Sequence, residues 1–304
     1  MRVLHGDPAL WDAGGPHAVS VGVFDGVHLG HMHLFGRLME GAERRDISVG
    51  LVTFDRHPLT VIAPEHAPAL ITSLGRRLEL FEDCGIDTVG VLPFVDRIRT
   101  QTPEEFVSEV LIEGLGARLV LVGEDFRFGK DRAGNIEVMS DLGTDMGFDV
   151  EPIELIDGIG PLSSTHIRSL IATGDVAGAA AALGRAFELR GRVVYADEQM
   201  GVPAVGLEVP RDLAVPKRGV YAVRVSPGGD EWAQGVAYAG ARPVSGSDGE
   251  IVALYLIDRE MYPQGESIRM QFVGRVRAGS VSSEAGESAV QLGRDIAEAR
   301  RLLG

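Results

Sequence analysis

The sequence predicts an α/β protein of two domains: a Rossmann-like domain over residues 1–186, then a small antiparallel β-barrel domain over 187–304 ending in a helix. Three observations predict it. From residue 17 to about 155, short β-rich runs alternate with longer helical patterns. After Phe187 the texture changes to strand-length runs separated by turns rich in Gly and Pro. The tail, 284–303, has helical spacing and no Pro. A chain of 304 residues is also long for one core and comfortable for two.

In the first domain the candidate strands are 18–24, 49–54, 88–94, 119–123 and 148–153. Each is a nearly continuous apolar run, as expected of parallel strands covered on both faces. Between them lie helical patterns at 31–45, 75–84, 103–112 and 136–142. The third opens with Thr102 as N-cap, Pro103 at the first helical position and Glu105 completing a capping box. Strand–helix alternation implies right-handed crossovers and a parallel sheet, whose ligands bind beyond the carboxyl ends of the strands. Two helices close the domain. Ser164 or Thr165 caps one running to Ala172, which Gly174 ends; Asp175 caps the next, which stops at Gly184. The barrel strands are then expected at 189–196, 220–225, 232–238, 251–257 and 268–276.

Composition narrows the function classes. Hydrophobic content of 45% with 24% charged residues is ordinary for a globular protein. No apolar run approaches the roughly 20 residues that cross a bilayer, so no membrane partner is expected. Residues 1–11 contain Asp7 and Pro8 and no apolar core, so no export signal is expected. The net charge is −15 with no basic block, which argues against a nucleic-acid partner. The one cysteine, Cys84, excludes an intrachain disulfide and fits a reducing, cytoplasmic compartment. Cys84 itself reads as a small buried hydrophobe. Nothing in the sequence sets an oligomeric state.

Four segments carry chemistry. Gly22-Val23-Phe24-Asp25-Gly26-Val27-His28-Leu29-Gly30-His31 spans the end of the first strand and the start of the first helix. Gly30 lets a phosphate approach the backbone, and a helix N-terminus supplies unpaired N–H groups. Two imidazoles held there can donate to α-phosphate oxygens as charge builds in a transition state. The bland alternatives are a glycine-rich turn with two surface histidines, or half a metal site that no further His or Cys cluster completes. Ser163-Ser164-Thr165-His166-Ile167-Arg168 sets hydroxyls and a guanidinium at a helix start, an anion cradle or merely a capped helix with a surface arginine. Val122-Gly123-Glu124-Asp125-Phe126-Arg127-Phe128-Gly129-Lys130 lies at the end of the fourth strand; its bland reading is a polar loop over two aromatics. Thr53-Phe54-Asp55-Arg56-His57-Pro58 ends the second strand, where a lone His is usually structural. All four follow strands or open helices on the expected ligand edge.

Taken in this order, the segments resemble the bacterial bifunctional riboflavin kinase/FAD synthetase family over most of the chain, most strongly over 17–187. The family motifs Gly-x-Phe-Asp-Gly-x-His-x-Gly-His, Thr-Phe-x-x-His-Pro, Gly-x-Asp-Phe-x-Phe-Gly and Ser-Ser-Thr-x-Ile-Arg are all present. The resemblance implies a Rossmann-like nucleotidyltransferase domain that joins the AMP of ATP to the phosphate of FMN, giving FAD and pyrophosphate, with Mg2+ on the pyrophosphate. It implies catalytic roles for His28, His31 and Arg168, nucleotide contacts from Phe24, Gly26, Gly30, Asp125, Arg127, Ser164 and Thr165, and a flavin border at His57 and Pro58. No metal ligand of the protein's own is implied.

The barrel half resembles the family's riboflavin kinase with its chemistry stripped. Where that kinase has Gly-Phe-Pro-Thr-Ala-Asn, this chain has Gly201-Val202-Pro203-Ala204-Val205-Gly206, so Ala204 and Gly206 offer no side-chain oxygen. The preceding loop, 195–200, is shorter and poorer in glycine. Aligned on Asp258, Ala253 replaces the general-base Glu and Tyr255 the His two residues on; Glu250 is nearby at the wrong offset. Losing a general base alone forfeits ~10²–10⁴ in rate, so no riboflavin kinase activity is expected. The motifs hold phosphates and do not read the base. Another nucleotide such as CTP, a modified flavin phosphate, or a non-catalytic flavin or nucleotide sensor therefore stays open.

Overall fold

The computed structural model describes residues 1–153, 162–199, 202–229, 231–240, 250–257, 262–279 and 285–304. Two compact units emerge from its packing: Met1–Pro68 with Ser73–Leu162, and Ala69–Thr72 with Ser163–Gly304.

The first unit is built on a six-stranded sheet of order β1-β4-β3-β2-β5-β6. Its strands are β1 (Arg2–His5), β2 (His17–Val21), β3 (Ser48–Phe54), β4 (Thr88–Leu92), β5 (Ala117–Gly123) and β6 (Asp149–Ile153). Every pairing is parallel, as the unbroken apolar runs required. Successive side chains feed opposite cores. Ala18, Leu119 and Leu121 join the cluster of Phe35, Leu38 and Phe81, while Val19, Val120 and Val122 join that of Trp11, Leu111 and Phe148.

The helices follow in chain order: α1 (Leu29–Glu43), α2 (Leu59–Ile62), α3 (Leu74–Asp83), α4 (Asp96–Arg99), α5 (Pro103–Phe106) and α6 (Ile136–Met146). Thr102 and Glu105 form the expected capping box at α5, but the helix then widens into a π-helix over Val107–Gly114. Asn135 caps α6 through its side chain and Gly147, in the left-handed region, ends it a turn later than expected. Cys84 is half-buried at the end of α3 rather than fully buried, packing against the edge of the core. The strand at Arg2–His5 was not expected. It is short and only half-buried, yet it pairs with β4 as an edge strand. At the amino edge of the sheet, buried His17 donates from Nδ1 to the Leu115 carbonyl (2.8 Å) and accepts at Nε2 from Thr88 (3.1 Å).

The second unit is a closed barrel of order β10-β11-β8-β7-β12-β9. Its strands are β7 (Phe187–Gln199), β8 (Val202–Val209), β9 (Gly219–Ser226), β10 (Ala233–Ala239), β11 (Glu250–Leu256) and β12 (Ser267–Ala278). The fold class is therefore borne out, with one strand more than expected. The expected strands leave out β8, where Pro203 counts against a strand, and β7 continues through Tyr195–Gln199, most of the stretch expected as a loop. Met200, Gly201, Asp258 and Glu284, used in the sequence reading, lie outside the described residues. Helices α7 (Ser164–Thr173) and α8 (Val176–Leu183) gather with the barrel, where sequence alone had set them with the first domain.

Helix α9 (Ala285–Leu303) lies on the barrel through Leu292, Ala299 and Leu303. It is pinned by Asp295, only 1% exposed, which accepts from Tyr238 (2.6 Å), twice from Arg277 (2.8 and 2.9 Å) and from Gln291 (2.9 Å). Burial raises the cost of the Asp295 charge, but Arg277, Tyr238 and Gln291 outweigh it and hold the carboxyl below its ordinary range. The Tyr238 hydroxyl is pushed the other way, by burial first and then by donating to Asp295.

Removing Asp295 would leave Arg277 and Tyr238 without their acceptor, so Asp295→Ala should cost about 3 kcal/mol of stability in urea unfolding. Because the folded carboxyl titrates lower than the unfolded one, its stabilisation is full above the unfolded value of about 3.9 and is lost as pH falls through the folded value. The stability gap between the wild type and Asp295→Asn should stay flat from neutral pH to about 5 and close below about 4.

Candidate active site

The chain leaves β2 through β3 and β4 toward one edge, then returns to β2's other side at β5. That reversal opens a crevice at the carboxyl ends of β2 and β5, where sheets of this kind bind ligands. The loops following β2 and β5 are the first and third sequence motifs.

The loop after β2 is bent hard. Phe24, Gly26 and Val27 have φ of 51°, 85° and 40°. Gly26 takes this conformation freely, whereas a β-branched Val in the left-handed region is a true outlier. The turn ends β2 at Val21, earlier than the apolar run suggested, and delivers His28 as the N-cap of α1. His28 Nδ1 accepts from the His31 N–H and His31 Nδ1 accepts from the His28 N–H, both at 3.4 Å. This is a capping box made of two imidazoles in place of Ser/Thr and Glu. A backbone N–H can only donate, so both Nδ1 atoms are acceptors and each neutral ring carries its proton on Nε2. The rings stack with centroids 3.6 Å apart and 21° between planes.

His28 is 5% exposed and His31 half-buried, so neither is a loose surface histidine. Phe24, itself buried, meets the His31 ring edge-on at 5.3 Å and bears on the site through that ring. A Cβ on Gly30 would stand 3.1 Å from the His28 ring, so a side chain there would press on the imidazole.

At the end of β3, the Thr53 hydroxyl donates to the Val23 carbonyl (3.1 Å). His57 Nδ1 accepts from the Leu59 N–H (3.2 Å), and Pro58 stands at the start of α2. Asp55 accepts from the Phe94 N–H (2.9 Å) and pairs with Arg56 (2.8 Å). Burial works to raise this carboxyl, and those two contacts hold it below the ordinary value. After β5, Asp125 and Arg127 are exposed, Arg127 donating to the Phe126 carbonyl (2.7 Å). Phe126 stacks on Phe128, whose ring is buried beside Phe106.

Sequence reasoning missed Arg77. This α3 residue is 0% exposed, and its guanidinium donates to the Val23 carbonyl and to the Phe54 carbonyl (3.2 Å). Burial lowers its basicity, opposed by the charges of Asp25 and Asp55. Nothing in the helical pattern at 75–84 singles it out, and only its register on the buried face could have marked it.

In the second unit, the cap of α7 is Ser163, whose hydroxyl accepts from the His166 N–H (3.2 Å). Ser164 and Thr165 are thus the first two helical residues rather than the cap, and their own N–H groups belong to the open first turn. Arg168 stands one turn on, its Nε donating to the Ala69 carbonyl (2.8 Å). Among the described residues, no group of three or more His, Cys, Asp and Glu could hold a metal, and no helix is long and apolar enough to cross a membrane.

A family model described as FAD synthetase matches residues 12–166, and one described as riboflavin kinase matches 183–303. Bifunctional riboflavin kinase/FMN adenylyltransferases from Escherichia coli (strain K12) and Pseudomonas fluorescens are 32% and 34% identical to it. Those alignments cover 94% and 93% of this chain and 92% of each relative. The chain belongs to the bifunctional riboflavin kinase/FMN adenylyltransferase family. Its N-terminal domain is an enzyme domain of the FMN adenylyltransferase type. A crystal structure described as a macrolide-efflux protein from Streptococcus pneumoniae shares the fold, with a TM-score of 0.87 over 99% of both chains at 23% identity.

In the barrel's β8–β11 register Gly206 faces Ala253 and Ala204 faces Tyr255, so these four positions form one patch. Tyr195 on β7 is paired with Gly206, and a Cβ at 206 would fall 2.0 Å from its Cε1. Tyr255 packs edge-on against Tyr238 at 5.4 Å. Glu250 is exposed at the first residue of β11, an odd number of residues from Ala253 and so on the opposite face.

The imidazole cap can be separated from the imidazole chemistry. His28→Ala should cost about 1–2 kcal/mol in urea unfolding through the lost cap and ring packing, whereas His28→Asn, a strong N-cap, should stay within about 0.5 kcal/mol of wild type.

Proposed function

We propose that the chain is an FAD synthetase without riboflavin kinase activity, transferring AMP from ATP to FMN. The observation that carries the transferase half is the paired-histidine cap of α1 at the crevice between β2 and β5. A terminal phosphate oxygen of FMN attacks the α-phosphorus of ATP, forming a new P–O bond. The bond from that phosphorus to the oxygen bridging toward the β-phosphorus breaks, and pyrophosphate leaves with the electron pair. The Nε2–H groups of His28 and His31 donate to the non-bridging α-phosphate oxygens, where negative charge grows. No covalent enzyme intermediate is needed, so positioning and charge stabilisation do the work.

Ser164, Thr165 and Arg168 are assigned to the triphosphate, Gly26, Gly30, Asp125 and Arg127 to the nucleotide, and His57 with Pro58 to the flavin. Magnesium fits as the partner of ATP, because a magnesium ion held chiefly by phosphate oxygens needs no protein cage. Residues 1–186 are proposed as the transferase domain and 187–304 as the barrel domain. The net charge of −15 supports small anions bound locally rather than nucleic acid, and the single thiol supports a cytoplasmic setting.

Loss of the kinase is supported by the patch of Ala204, Gly206, Ala253 and Tyr255, which offers no carboxylate base and no aliphatic hydroxyl or amide. Tyr195 supports it further, since its ring fills the place of an Asn side chain at 206. A separate phosphorylation of the riboflavin hydroxyl must then supply the FMN.

Purified protein with ATP and magnesium should convert FMN to FAD and leave riboflavin unchanged on chromatography. Formation of FMN from riboflavin would overturn the kinase-free reading, and no FAD from FMN would overturn the transferase. His28→Asn should lower kcat about 10²–10³-fold while remaining folded.

A further inference from the structure

We propose that Arg77 is a positioning residue for adenylyl transfer, tying the nucleotide loop after β2 to the flavin loop after β3 from beneath. The inference rests on the transferase reading above and concerns a residue that makes no contact with substrate. Its guanidinium donates to two backbone carbonyls, Val23 and Phe54, one on each loop. It also lies 3.3 Å from the Thr53 hydroxyl, which shares the Val23 carbonyl. An arginine reaches two carbonyls at once because its donors diverge from a rigid plane.

The placement has a physical purpose. Phe24 and Val27 are held at positive φ, and such strain persists only where neighbouring structure over-determines it. Val23 immediately precedes this turn, so fixing its carbonyl fixes the entry to the bend that presents His28 and His31. Phe54 begins the run leading to His57 and Pro58, so the same cation sets the separation of the donor and acceptor loops. Burying a guanidinium is costly, and Nε has no hydrogen-bond partner among the described residues. A buried leucine or methionine would suit a helix face better if packing were the only demand.

The test is steady-state kinetics on the full chain with ATP, magnesium and FMN, beside thermal unfolding. Arg77→Met should lower kcat about 10–100-fold with KM for both substrates within about threefold, as expected when reacting groups are misaligned without losing their own contacts. Arg77→Lys should recover part of the loss, and Thr53→Val should show a smaller fall of the same kind. Thr88→Val, which removes a buried hydroxyl at the opposite edge of the sheet, should lower the melting temperature and leave kcat unchanged. If Arg77→Met does not fold, Arg77→Lys and Thr53→Val decide. Folded variants with wild-type kcat, or losses that Thr88→Val reproduces, overturn the proposal.

Nitrogen NMR of the histidine rings separates this proposal from the transferase reading. In wild type, His28 and His31 should each show one Nε2–H tautomer, and in Thr53→Val or Arg77→Lys that signature should become mixed. Unchanged tautomers would overturn the Arg77 role even if wild type formed no FAD. No FAD from wild type with mixed tautomers in the variants would overturn the transferase alone.

Discussion

The Val23 carbonyl accepts from two side chains, Thr53 on β3 and Arg77 on α3, and the turn beyond it holds two non-glycine residues at positive φ. A free chain would relax such a turn, at a gain of order 1–3 kcal/mol per residue. It does not relax here, because Phe24 and Val27 are also buried in the core with Phe35, Leu38 and Phe81. The consequence reaches the chemistry at once. With the turn held, His28 arrives at the start of α1 with extended backbone, which lets its ring cap the helix, and the reciprocal bond from His31 follows. The helix start then presents imidazole N–H donors where it would otherwise present only backbone ones.

In the barrel, by contrast, a patch of small residues is packed by aromatic rings rather than held by polar bonds. Ala204, Gly206 and Ala253 are spread over 50 residues of sequence, and any one of them alone would pass as a harmless change. The β8–β11 register brings them together, and Tyr195, Tyr238 and Tyr255 cover the space. Burial pushes the hydroxyls of Tyr195 and Tyr255 up, so neither serves as a base near neutral pH. Substituting Asn at Gly206 alone would force the Tyr195 ring aside. The aromatic packing thus leaves no room for a polar side chain introduced singly at 206.

The parts of this structure legible in the sequence were those governed by periodicity and by local backbone chemistry. Parallel strands declared themselves as apolar runs, and the α5 cap was readable from Thr102, Pro103 and Glu105. Elements governed by distant partners were not. β1 is an edge strand held by pairing with β4 and by packing of Val3 and Leu4 against the cores, and β8 contains a proline that local propensity counts against a strand. At the site, His28 and His31 stood out because glycine and histidine spacing is unusual in itself. Arg77 stayed hidden because its meaning lies in carbonyls more than twenty residues away in sequence. Likewise Ser163, rather than Ser164 or Thr165, caps α7, a choice set by one extended backbone angle that three successive hydroxyl residues leave ambiguous.

The second unit also shows what the barrel's loops and strands hold in place. Leu70 donates to the Asp212 carbonyl (2.6 Å) and accepts from the Ala214 N–H (2.7 Å), so segment 69–72 is threaded onto a barrel loop. Next to it, the Ala69 carbonyl receives Arg168 (2.8 Å). From the other side, Lys217 donates to the Ile171 carbonyl (3.1 Å) and Arg275 on β12 to that of Thr173 (3.3 Å), tying down the end of α7. The helix carrying Ser164, Thr165 and Arg168 is therefore fixed at its arginine by segment 69–72 and at its carboxyl end by barrel residues. None of these hydrogen bonds involves Ala204, Gly206 or Ala253, so the hold on that helix rests on other parts of the second unit.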